Sequence, residues 1–460
     1  MGLLIKNGEI ITASTRYHAD IYCQDEQISR IGHNLDVPPD TEVIDASGKY
    51  VFPGFIDPHV HIHLPFMGTF SKDSHSSGSQ AALVGGTTCF IEMCAPSRGD
   101  DLLEGFALWN GKAEGNSACD WSFHMAVPRF DSDTEGQLEE IIAAGISSFK
   151  VFLAYKGFFG IDDEELFNTL SFAKRKGIIV TAHCENGELI AQLQQQLLAA
   201  GKTGPGYHEP SRPRYVEADG VHHFASFLEA TGAHGYVVHL SCQAALEAAL
   251  AAKARGVQLS IEAVIPHLIL DKSYAERPDF EGAKYVMSPP LRETSDQQAL
   301  WRALSSGFIN TVATDHAPFD FVGQKDLGKD DFTKIPNGIP GIEDRVNLLY
   351  TYGVKLGYLD LQRFVDVAST QAAKLFDLFP RKGTIQLGSD ADLVIYDPNY
   401  RGNISAAKQH MNVDYSGFEG IALEGRPSVV TVRGQVAVRD GVFVGDPARG
   451  QLLKREPSHF

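Results

Sequence analysis

The chain of 460 residues lacks the features that mark membrane proteins and nucleic-acid binders. No uncharged apolar run reaches the ~18 residues that a membrane span needs. The start, MGLLIKNGEIITAS, has no basic segment followed by an apolar one, and Lys6 stands where myristoylation needs Ser or Thr. Lys and Arg number 40 against 58 Asp and Glu, and a net charge of −18 offers no basic surface to phosphate backbones. We therefore expect a cytoplasmic protein with small neutral or cationic partners and no nucleic-acid or membrane partner.

Cysteine motifs and phosphate-binding loops are missing as well. The six cysteines are scattered without a C-x-x-C pair, which disfavours zinc ribbons and a disulfide framework. Cys184 and Cys242 stand beside candidate ligands, but we interpret them as small buried apolar side chains. No stretch matches the G-x-G-x-x-G phosphate loop. The composition, 43% hydrophobic and 21% charged, is that of an ordinary globular protein.

Both ends of the chain have the pattern of short β-strands. Residues 1–53 contain runs such as LLIKNGEII and KYVF between Gly, Asp and Pro turn signals. Residues 373–460 repeat this pattern with GTIQLG, DADLVIYD, SVVTVRG and QVAVRDG. Because chain termini commonly lie close together, we predict one small β-sandwich domain built from both ends, with a tail after it.

The middle of the chain, residues 54–372, alternates apolar runs with helical stretches such as DEELFNTLSFAKRKG. The strand candidates are GFIDPHVH, TTCFIEM, WSFHMAV, ISSFKVFL, GIIVTAH, GYVVHLS, VQLSIEAV and FINTVATDH. Eight such units predict an α/β fold, a (β/α)8 TIM-type barrel whose strands are apolar because both faces are covered. An open doubly wound sheet is the alternative.

Polar side chains stand at the carboxyl ends of five predicted barrel strands. They are His59, His61, Lys150, His183, His239, Asp315 and His316. In a barrel these ends face the active-site mouth, and the alternation in GFIDPHVHIH puts His59 and His61 on one face. Four histidines and an aspartate form a ligand set suited to Zn²⁺, with Mn²⁺ or Fe²⁺ possible. Lys150 fits equally well as a rim lysine that reaches solvent.

Other polar residues near the strand ends are interpreted as structural. His316 should point away from the face that Asp315 occupies. His63 lies one step beyond the histidine pair, where packing in a loop is the expected role. We expect the same of His124, His267 and Glu92.

These motifs, in this order, resemble the hydantoinases and dihydropyrimidinases of the amidohydrolase superfamily. The likeness runs from LLIKNGEIITA through GKYVFPGFIDPHVHI, SSFKVFLAYKG, VTAHCEN, VVHLSC, SPPLR, TDHAPF and PNGIPGIEDR to KGTIQLGSDADLVIYDP, and it is closest to bacterial D-hydantoinases. The resemblance implies hydrolysis of the cyclic amide bond of hydantoins and dihydropyrimidines to N-carbamoyl amino acids. It also implies a homotetramer in which the C-terminal tail contributes to subunit contacts.

The resemblance further implies a centre of two divalent metal ions, Zn²⁺ or Mn²⁺. In that family a strand-end lysine is carboxylated by CO2 and bridges both ions, and Lys150 matches its position. The implied ligands are His59, His61 and Asp315 for one ion, His183 and His239 for the other, and carboxylated Lys150 with a hydroxide between them. Asp315 would act as general base and then as general acid.

Substrate contacts are implied as well. Tyr155 would donate a hydrogen bond to the developing oxyanion, and aromatic packing is the alternative for this residue. Ser288 and Asn337 match positions whose main-chain groups pair with the amide edge of the ring. The implied apolar lining for the exocyclic group consists of Leu64, Phe152 and Phe159.

Two related activities and one non-catalytic role compete with this interpretation. Dihydroorotases carry an Arg two residues after the histidine pair to hold a carboxylate, whereas this chain has His63 there. Allantoinases are harder to exclude, although the apolar lining suits their polar ureido substituent poorly. Non-catalytic dihydropyrimidinase-like scaffolds lack a full ligand set, whereas all six ligand positions are filled here.

Overall fold

The strands of the computed structural model, which describes residues 2–458, follow the apolar runs of the sequence. In chain order they are β1 Leu3–Lys6, β2 Glu9–Ile11, β3 Arg16–His18, β4 Asp20–Gln24, β5 Gln27–Gly32, β6 Glu42–Asp45, β7 Tyr50–Pro53, β8 Phe55–Val60, β9 Pro65–Phe66, β10 Thr69–Phe70, β11 Thr87–Cys94, β12 Asp120–Ala126, β13 Ser148–Lys156, β14 Ile179–His183, β15 His234–Val237, β16 Leu259–Val264, β17 Thr311–Ala313, β18 Leu393–Asn403, β19 Ala422–Val432, β20 Gln435–Arg439 and β21 Val442–Phe443.

Helices separate the strands of the middle region. The α-helices are α1 His75–Val84, α2 Leu102–Ala113, α3 Ser132–Ala143, α4 Asp163–Lys176, α5 Gly187–Ala199, α6 Arg214–Thr231, α7 Gln243–Ala254, α8 Ile265–Ile269, α9 Thr294–Ser305, α10 Arg345–Leu348, α11 Leu361–Val365 and α12 Gln371–Leu375. Short 3₁₀ turns cover Pro205–Tyr207, Glu209–Ser211, Lys272–Tyr274, Glu281–Tyr285, Lys325–Gly328, Phe332–Lys334 and Ala406–Lys408, and π-helical turns cover Leu349–Val354 and Asp366–Thr370.

Helix α4 illustrates how the sequence sets these boundaries. It begins after Asp162, whose side chain accepts a hydrogen bond from the main-chain N–H of Glu165 while the Glu165 side chain returns to Asp162 in a capping box. It ends at Gly177, which adopts a left-handed φ of 69°. Within residues 2–458, no helix combines the length and the apolar character needed to cross a membrane.

The barrel consists of β8 and β11–β17, in which every hydrogen-bonded pair is parallel. These strands coincide with the eight predicted ones. All residues of β11 and β12 are buried, because side chains fill the interior and helices cover the outside. The predicted TIM-type barrel is confirmed, and the open sheet is excluded because the first and last strands meet.

The seam between β8 and β17 lies beside the HVH stretch. The main-chain N–H of Asp315 donates to the oxygen of His59 at 3.0 Å, and the N–H of His61 donates to the oxygen of His316 at 2.8 Å. Strand β17 has only three residues, so these bonds just beyond its end contribute much of the closure. They bring residues from opposite ends of the barrel sequence side by side.

Strands from both chain ends form the predicted β-sandwich. One sheet has the order β21-β20-β19-β18-β7-β2-β3 and the other β5-β4-β1-β6. Ile10, Val51 and Ile395 of the larger sheet share a buried core with Ile5 and Ile21 of the smaller one. The domain boundaries after residues 53 and 372 stay predictions.

One predicted strand in this domain is wrong. The GTIQLG run forms turns instead of a strand. Gly383 and Gly388 have left-handed φ values of 80° and 86°, so the chain bends at both ends of the run.

The described end of the chain crosses the barrel at the side opposite the mouth. The N–H of Leu453 donates to the oxygen of Trp121 at 2.7 Å. Arg455 is buried, and its guanidinium donates to Ser122 Oγ at 2.8 Å and to Ser148 Oγ at 2.9 Å. The tail therefore closes the bottom of the barrel.

Candidate metal centre

All twelve residues that the sequence singled out for metal or substrate contacts line one cavity at the barrel mouth. They are His59, His61, Leu64, Lys150, Phe152, Tyr155, Phe159, His183, His239, Ser288, Asp315 and Asn337. The same cavity is lined by Phe66, Ala317 and Gly338. The roles of these residues stay predictions, but the geometry gives each role a specific set of contacts.

His59, His61 and Asp315 place three ligand atoms around one point. The Nε2 atoms of His59 and His61 lie 3.2 Å apart, and they lie 3.2 and 3.1 Å from Asp315 Oδ1. Tetrahedral bonds of 2.0–2.1 Å to Zn²⁺ would place neighbouring ligand atoms about 3.3 Å apart. The three side chains are buried, so the spacing and the donor set both fit a metal ion.

His183 and His239 form a second pair in the same cavity. His183 Nδ1 lies 3.0 Å from His239 Nε2, close to the spacing of two ligands on one ion. His239 follows the end of β15 and adopts a left-handed φ of 41°. This unusual main-chain conformation is typical of residues that a functional site holds in place.

Lys150 places a buried amine in this cavity. It is 1% exposed, and its Nζ has no hydrogen-bond partner within residues 2–458. Burial lowers the pKa of Lys150 to about 8. A carbamate on Nζ would replace this unpaired amine with two oxygen ligands between the histidines, so the site also fits a carboxylated lysine.

Asp315 is held in its charged form. Burial opposes ionisation of this carboxyl group, but the neighbouring His59 and His61 outweigh it and lower the pKa of Asp315 to about 2. Its main chain has a left-handed φ of 52°, which turns the side chain into the cavity after the end of β17. Asp315 therefore presents a carboxylate to the metal site and to anything bound above it.

Glu262 orients two of the histidines and was not predicted from the sequence. Its Oε1 lies 2.8 Å from His59 Nδ1 and accepts a hydrogen bond from the main-chain N–H of His239 at 2.9 Å. Its Oε2 accepts a bond from the hydroxyl of Tyr236 at 2.7 Å. A carboxylate at Nδ1 keeps the hydrogen there and leaves His59 Nε2 free for the metal. The signal in the sequence is a single acidic residue inside the apolar run LSIEAV, and the structure buries it fully.

Glu185 does the same for His183. Its Oε2 lies 2.7 Å from His183 Nε2 and 2.5 Å from Arg212. Burial alone would raise the pKa of Glu185, but Arg212 outweighs it and lowers the pKa to about 2. The charged carboxylate fixes His183 with Nδ1 toward the cavity. The sequence analysis missed this residue, although it stands two positions after a candidate ligand.

The residues interpreted as structural lie outside this cavity. His316 Nε2 lies 2.8 Å from Asp73 Oδ2 on the far side of the strand, as predicted. His124 contacts Ser148 Oγ at 2.7 Å. His267 donates to the main-chain oxygen of Pro289 at 3.0 Å.

Two further residues predicted to be structural, Glu92 and His63, also lie outside the cavity. Glu92 contacts His75 at 2.9 Å behind the barrel wall. His63 is half-buried and has a left-handed φ of 55°. Neither lines the cavity.

The residues that the sequence predicts to contact the ring meet at the other side of the cavity. Asn337 Nδ2 donates to Ser288 Oγ at 2.9 Å and points to the hydroxyl of Tyr155 at 3.4 Å. Tyr155 has a left-handed φ of 59°. Tyr155 also lies next to Arg212, whose guanidinium is 5.4 Å from its ring centre. The phenol therefore faces the cavity beside a cation.

An apolar wall completes the cavity. The rings of Phe152 and Phe159 stack with centres 5.2 Å apart, and Phe66 stacks on Phe159 at 6.4 Å. Leu64 packs in the same buried cluster. This wall excludes water from one side of the site and suits an apolar substituent.

Known proteins of similar sequence and fold carry closely related names. A model described as "Amidohydrolase family" matches residues 50–437. The D-hydantoinase of Geobacillus stearothermophilus is 48% identical over 456 residues, which cover 99% of this chain and 97% of that protein. A solved D-hydantoinase (dihydropyrimidinase) from Thermus sp. is 69% identical with a TM-score of 0.98, and 100% of each chain is covered. A dihydropyrimidinase structure from Brevibacillus agri NCHU1002 is 44% identical, with a TM-score of 0.98 and 100% of each chain covered.

Proposed function

The chain belongs to the amidohydrolase family, in its hydantoinase and dihydropyrimidinase branch, and we propose that it hydrolyses hydantoins and dihydropyrimidines to N-carbamoyl amino acids. Its relatives at full length are enzymes that act on cyclic amides, so the chain is a cyclic amidohydrolase. The non-catalytic scaffold is therefore no longer a competing interpretation.

One observation carries the proposal for the reaction. The cavity combines the three closely spaced ligand atoms of His59, His61 and Asp315 with the phenol of Tyr155 and the main chain at Asn337. A flat ring with adjacent N–H and C=O groups could contact the main chain at one end and the metal ligands at the other. Such a ring is the cyclic amide on which the family acts.

Two divalent ions, Zn²⁺ or alternatively Mn²⁺, are proposed as cofactors. His59, His61 and Asp315 would hold one ion, and His183 and His239 would hold the other. Lys150, carboxylated after its neutral amine adds to CO2 and loses a proton, would bridge them. When bound, the ions would lower the pKa of a bridging water and polarise the ring carbonyl.

The protein's own groups would carry the proton and stabilise charge. Asp315 would accept a proton from the attacking water and return it to the ring nitrogen as the carbon–nitrogen bond breaks. The carbonyl carbon then ends as a carboxylate and the nitrogen as part of the carbamoyl group. Tyr155 would donate its hydroxyl hydrogen to the oxyanion that develops on the carbonyl oxygen.

The substituent on the ring should decide which substrates are used. The apolar wall of Leu64, Phe66, Phe152 and Phe159 favours aryl and alkyl groups over the ureido group of allantoin. His63 is half-buried at the position where dihydroorotases carry an Arg, which disfavours a carboxylated ring. We propose hydantoins with a D-configured apolar substituent, because several full-length relatives are named D-hydantoinases.

Initial rates on a panel of rings test this function. The panel contains hydantoin, dihydrouracil, both enantiomers of 5-phenylhydantoin, allantoin and dihydroorotate, assayed with zinc-loaded and manganese-loaded protein. We expect the highest kcat/KM for D-5-phenylhydantoin. A preference for allantoin or dihydroorotate would contradict the proposed substrate class, and inactivity on every ring would contradict the function.

The assembly and the compartment are also proposals. A homotetramer and a cytoplasmic location follow from the resemblance and the composition. Sedimentation velocity of the metal-loaded protein tests the first, since a tetramer has four times the 50.2 kDa mass of the chain.

A further inference from the structure

Lys325 is a buried lysine whose partners are main-chain oxygens. Its side chain is 0% exposed, and Nζ donates to the oxygen of Val286 at 2.9 Å and to that of Gly338 at 2.7 Å. Burial lowers the pKa of this amine well below its usual range, and no carboxylate contributes to the shift. A buried amine is unfavourable unless its N–H groups are satisfied, so these two bonds fix where the side chain can lie.

The two oxygens belong to the two segments that line the ring-binding side of the cavity. Val286 precedes Ser288 by two residues, and Gly338 directly follows Asn337. The N–H of Gly338 also donates to the oxygen of Val286 at 2.9 Å. Lys325 therefore bridges the same two segments that one main-chain bond already joins.

The segment at Gly338 has little room to move away from Lys325. A methyl group at Gly338 would lie 2.2 Å from the main-chain oxygen of Ala317, because the segments that carry Gly338 and Ala317 are in close contact. Ala317 follows the metal-site residue Asp315 by two positions. The main chain at Gly338, next to Asn337, thus lies between Lys325 on one side and the segment just after the last barrel strand on the other.

The turn that carries Lys325 is itself anchored. The N–H of Lys325 donates to the oxygen of Asp320 at 2.9 Å. The neighbouring Gln324 donates from Nε2 to Thr69 Oγ1 at 2.7 Å and to the oxygen of Phe70 at 2.8 Å. The turn that carries Lys325 is therefore anchored to the hairpin β9–β10, which follows the histidine pair.

We propose that Lys325 is a positioning residue that sets the spacing between the ring-binding main-chain groups at Ser288 and Asn337. This inference rests on the proposed function, because those groups matter only if they bind the amide edge of a ring. The edge is common to all substrates of the class, so Lys325 acts on ring binding regardless of the substituent. Contacts made equally in the ground and transition states change KM more than kcat.

The test compares Lys325→Met with wild type on hydantoin, dihydrouracil and D-5-phenylhydantoin. Met keeps the length of the side chain but removes both N–H donors. We expect KM to rise about tenfold, by a similar factor on all three substrates, while kcat falls less than about threefold and metal content stays unchanged. A lysine that only supports packing would lower the melting temperature without this shared increase in KM.

Lys253→Met is the matched control. Lys253 also donates to a main-chain oxygen, that of Leu259 at 2.7 Å, but at the opposite end of the barrel. Its replacement should leave KM unchanged. Wild-type KM in Lys325→Met, or an increase confined to one substrate, would overturn the inference.

If Lys325→Met does not fold, Lys325→Arg replaces it in the same kinetic test. The guanidinium of Arg keeps N–H donors, but its larger size displaces both main-chain oxygens. An equal increase in KM on all three substrates supports the inference, and an unchanged KM rejects it. If wild type hydrolyses none of the rings, the proposed function fails and the inference fails with it. Activity in wild type with unchanged KM in the variants rejects the inference alone.

Discussion

The imidazole of His59 donates from Nδ1 to the carboxylate of Glu262 across 2.8 Å, in a place where both side chains are fully buried. This bond fixes the tautomer of a residue that would bind metal through its other nitrogen. We predict that Glu262→Gln lowers the affinity for the first metal ion about 10- to 100-fold. Competition with a chelator of known affinity measures the affinity for this ion. Glu229→Gln on the surface is the control and should leave this affinity unchanged. An unchanged metal affinity would contradict the orienting role.

Tyr155→Phe removes one hydroxyl and leaves the aromatic packing. The phenol lines the cavity beside Asn337 and Arg212, so we predict a fall in kcat of about 10²- to 10³-fold with unchanged metal content. Steady-state kinetics and metal analysis on the same preparation measure both. The exposed Tyr215→Phe should be fully active. A kcat within threefold of wild type would assign Tyr155 to packing.

Phe159→Ala opens the apolar wall. Phe159 is 3% exposed and stacks on Phe152 and Phe66, so its removal enlarges the space for a substituent. We predict that kcat/KM changes more for aryl- and alkyl-substituted hydantoins than for hydantoin itself. Phe167→Ala on helix α4 is a suitable control because that ring is 45% exposed. An equal effect on all three substrates would show that the ring only supports the loop.

Metal removal should abolish activity, and its return should require CO2. The amine of Lys150 has no hydrogen-bond partner within the described residues, and a carbamate would supply two oxygen ligands there. We predict about two metal equivalents per chain in active protein. Protein stripped by a chelator should regain activity with Zn²⁺ and bicarbonate, and much less with Zn²⁺ in CO2-free buffer. Full recovery without CO2 would contradict carboxylation.

Asp344 should make stability depend on pH. It is 3% exposed, and both its oxygens accept from Gln409 Nε2 at 2.7 Å. Burial, with a smaller effect of Glu343, raises the pKa of this carboxyl well above 3.8. The folded protein therefore keeps the proton to a higher pH than the unfolded chain, and the free energy of unfolding falls as pH rises above 3.8.

Asp344→Asn mimics the protonated carboxyl and should remove this penalty. We predict a melting temperature about 3 °C higher at pH 8 and a smaller gain at pH 5.5, measured by calorimetry. Asp131→Asn should have the opposite sign, because main-chain hydrogen bonding from Thr134 lowers the pKa of that exposed cap. A gain at pH 5.5 that equals the gain at pH 8 would contradict a titrating Asp344.

The sequence predicted the barrel because its strands are short, apolar and regularly spaced. His59, His61, His183 and Asp315 could be recognised because each stands at the end of such a run. The limits of the strands were harder to predict. GYVVHLS reads as a continuous strand, yet β15 ends at Val237 and His239 takes a left-handed conformation that apolar alternation does not encode.

Residues that act through a ligand were not predictable in the same way. Glu262 reaches His59 only because β16 and β8 both border the interior of a closed barrel, and that proximity depends on closure. Lys325 stands in GQKDLGKDD, a polar stretch typical of an exposed loop. Its burial results from the way the loop folds beneath Gly338, which depends on contacts distant in sequence.

The proposed first metal ion would lie at the seam between the first and last barrel strands, so it would also affect the stability of the barrel. Its ligands stand on both sides of that seam, with His59 and His61 on one side and Asp315 on the other. An ion bound to all three would cross-link residues that are far apart in the sequence. The loop of chain closed by this cross-link would contain nearly the whole barrel. Cross-linking so long a loop restricts the unfolded chain far more than it restricts the native one. The proposed metal site would thus also stabilise the closed barrel. Removal of the metal would first break the pairing between β8 and β17 at this seam.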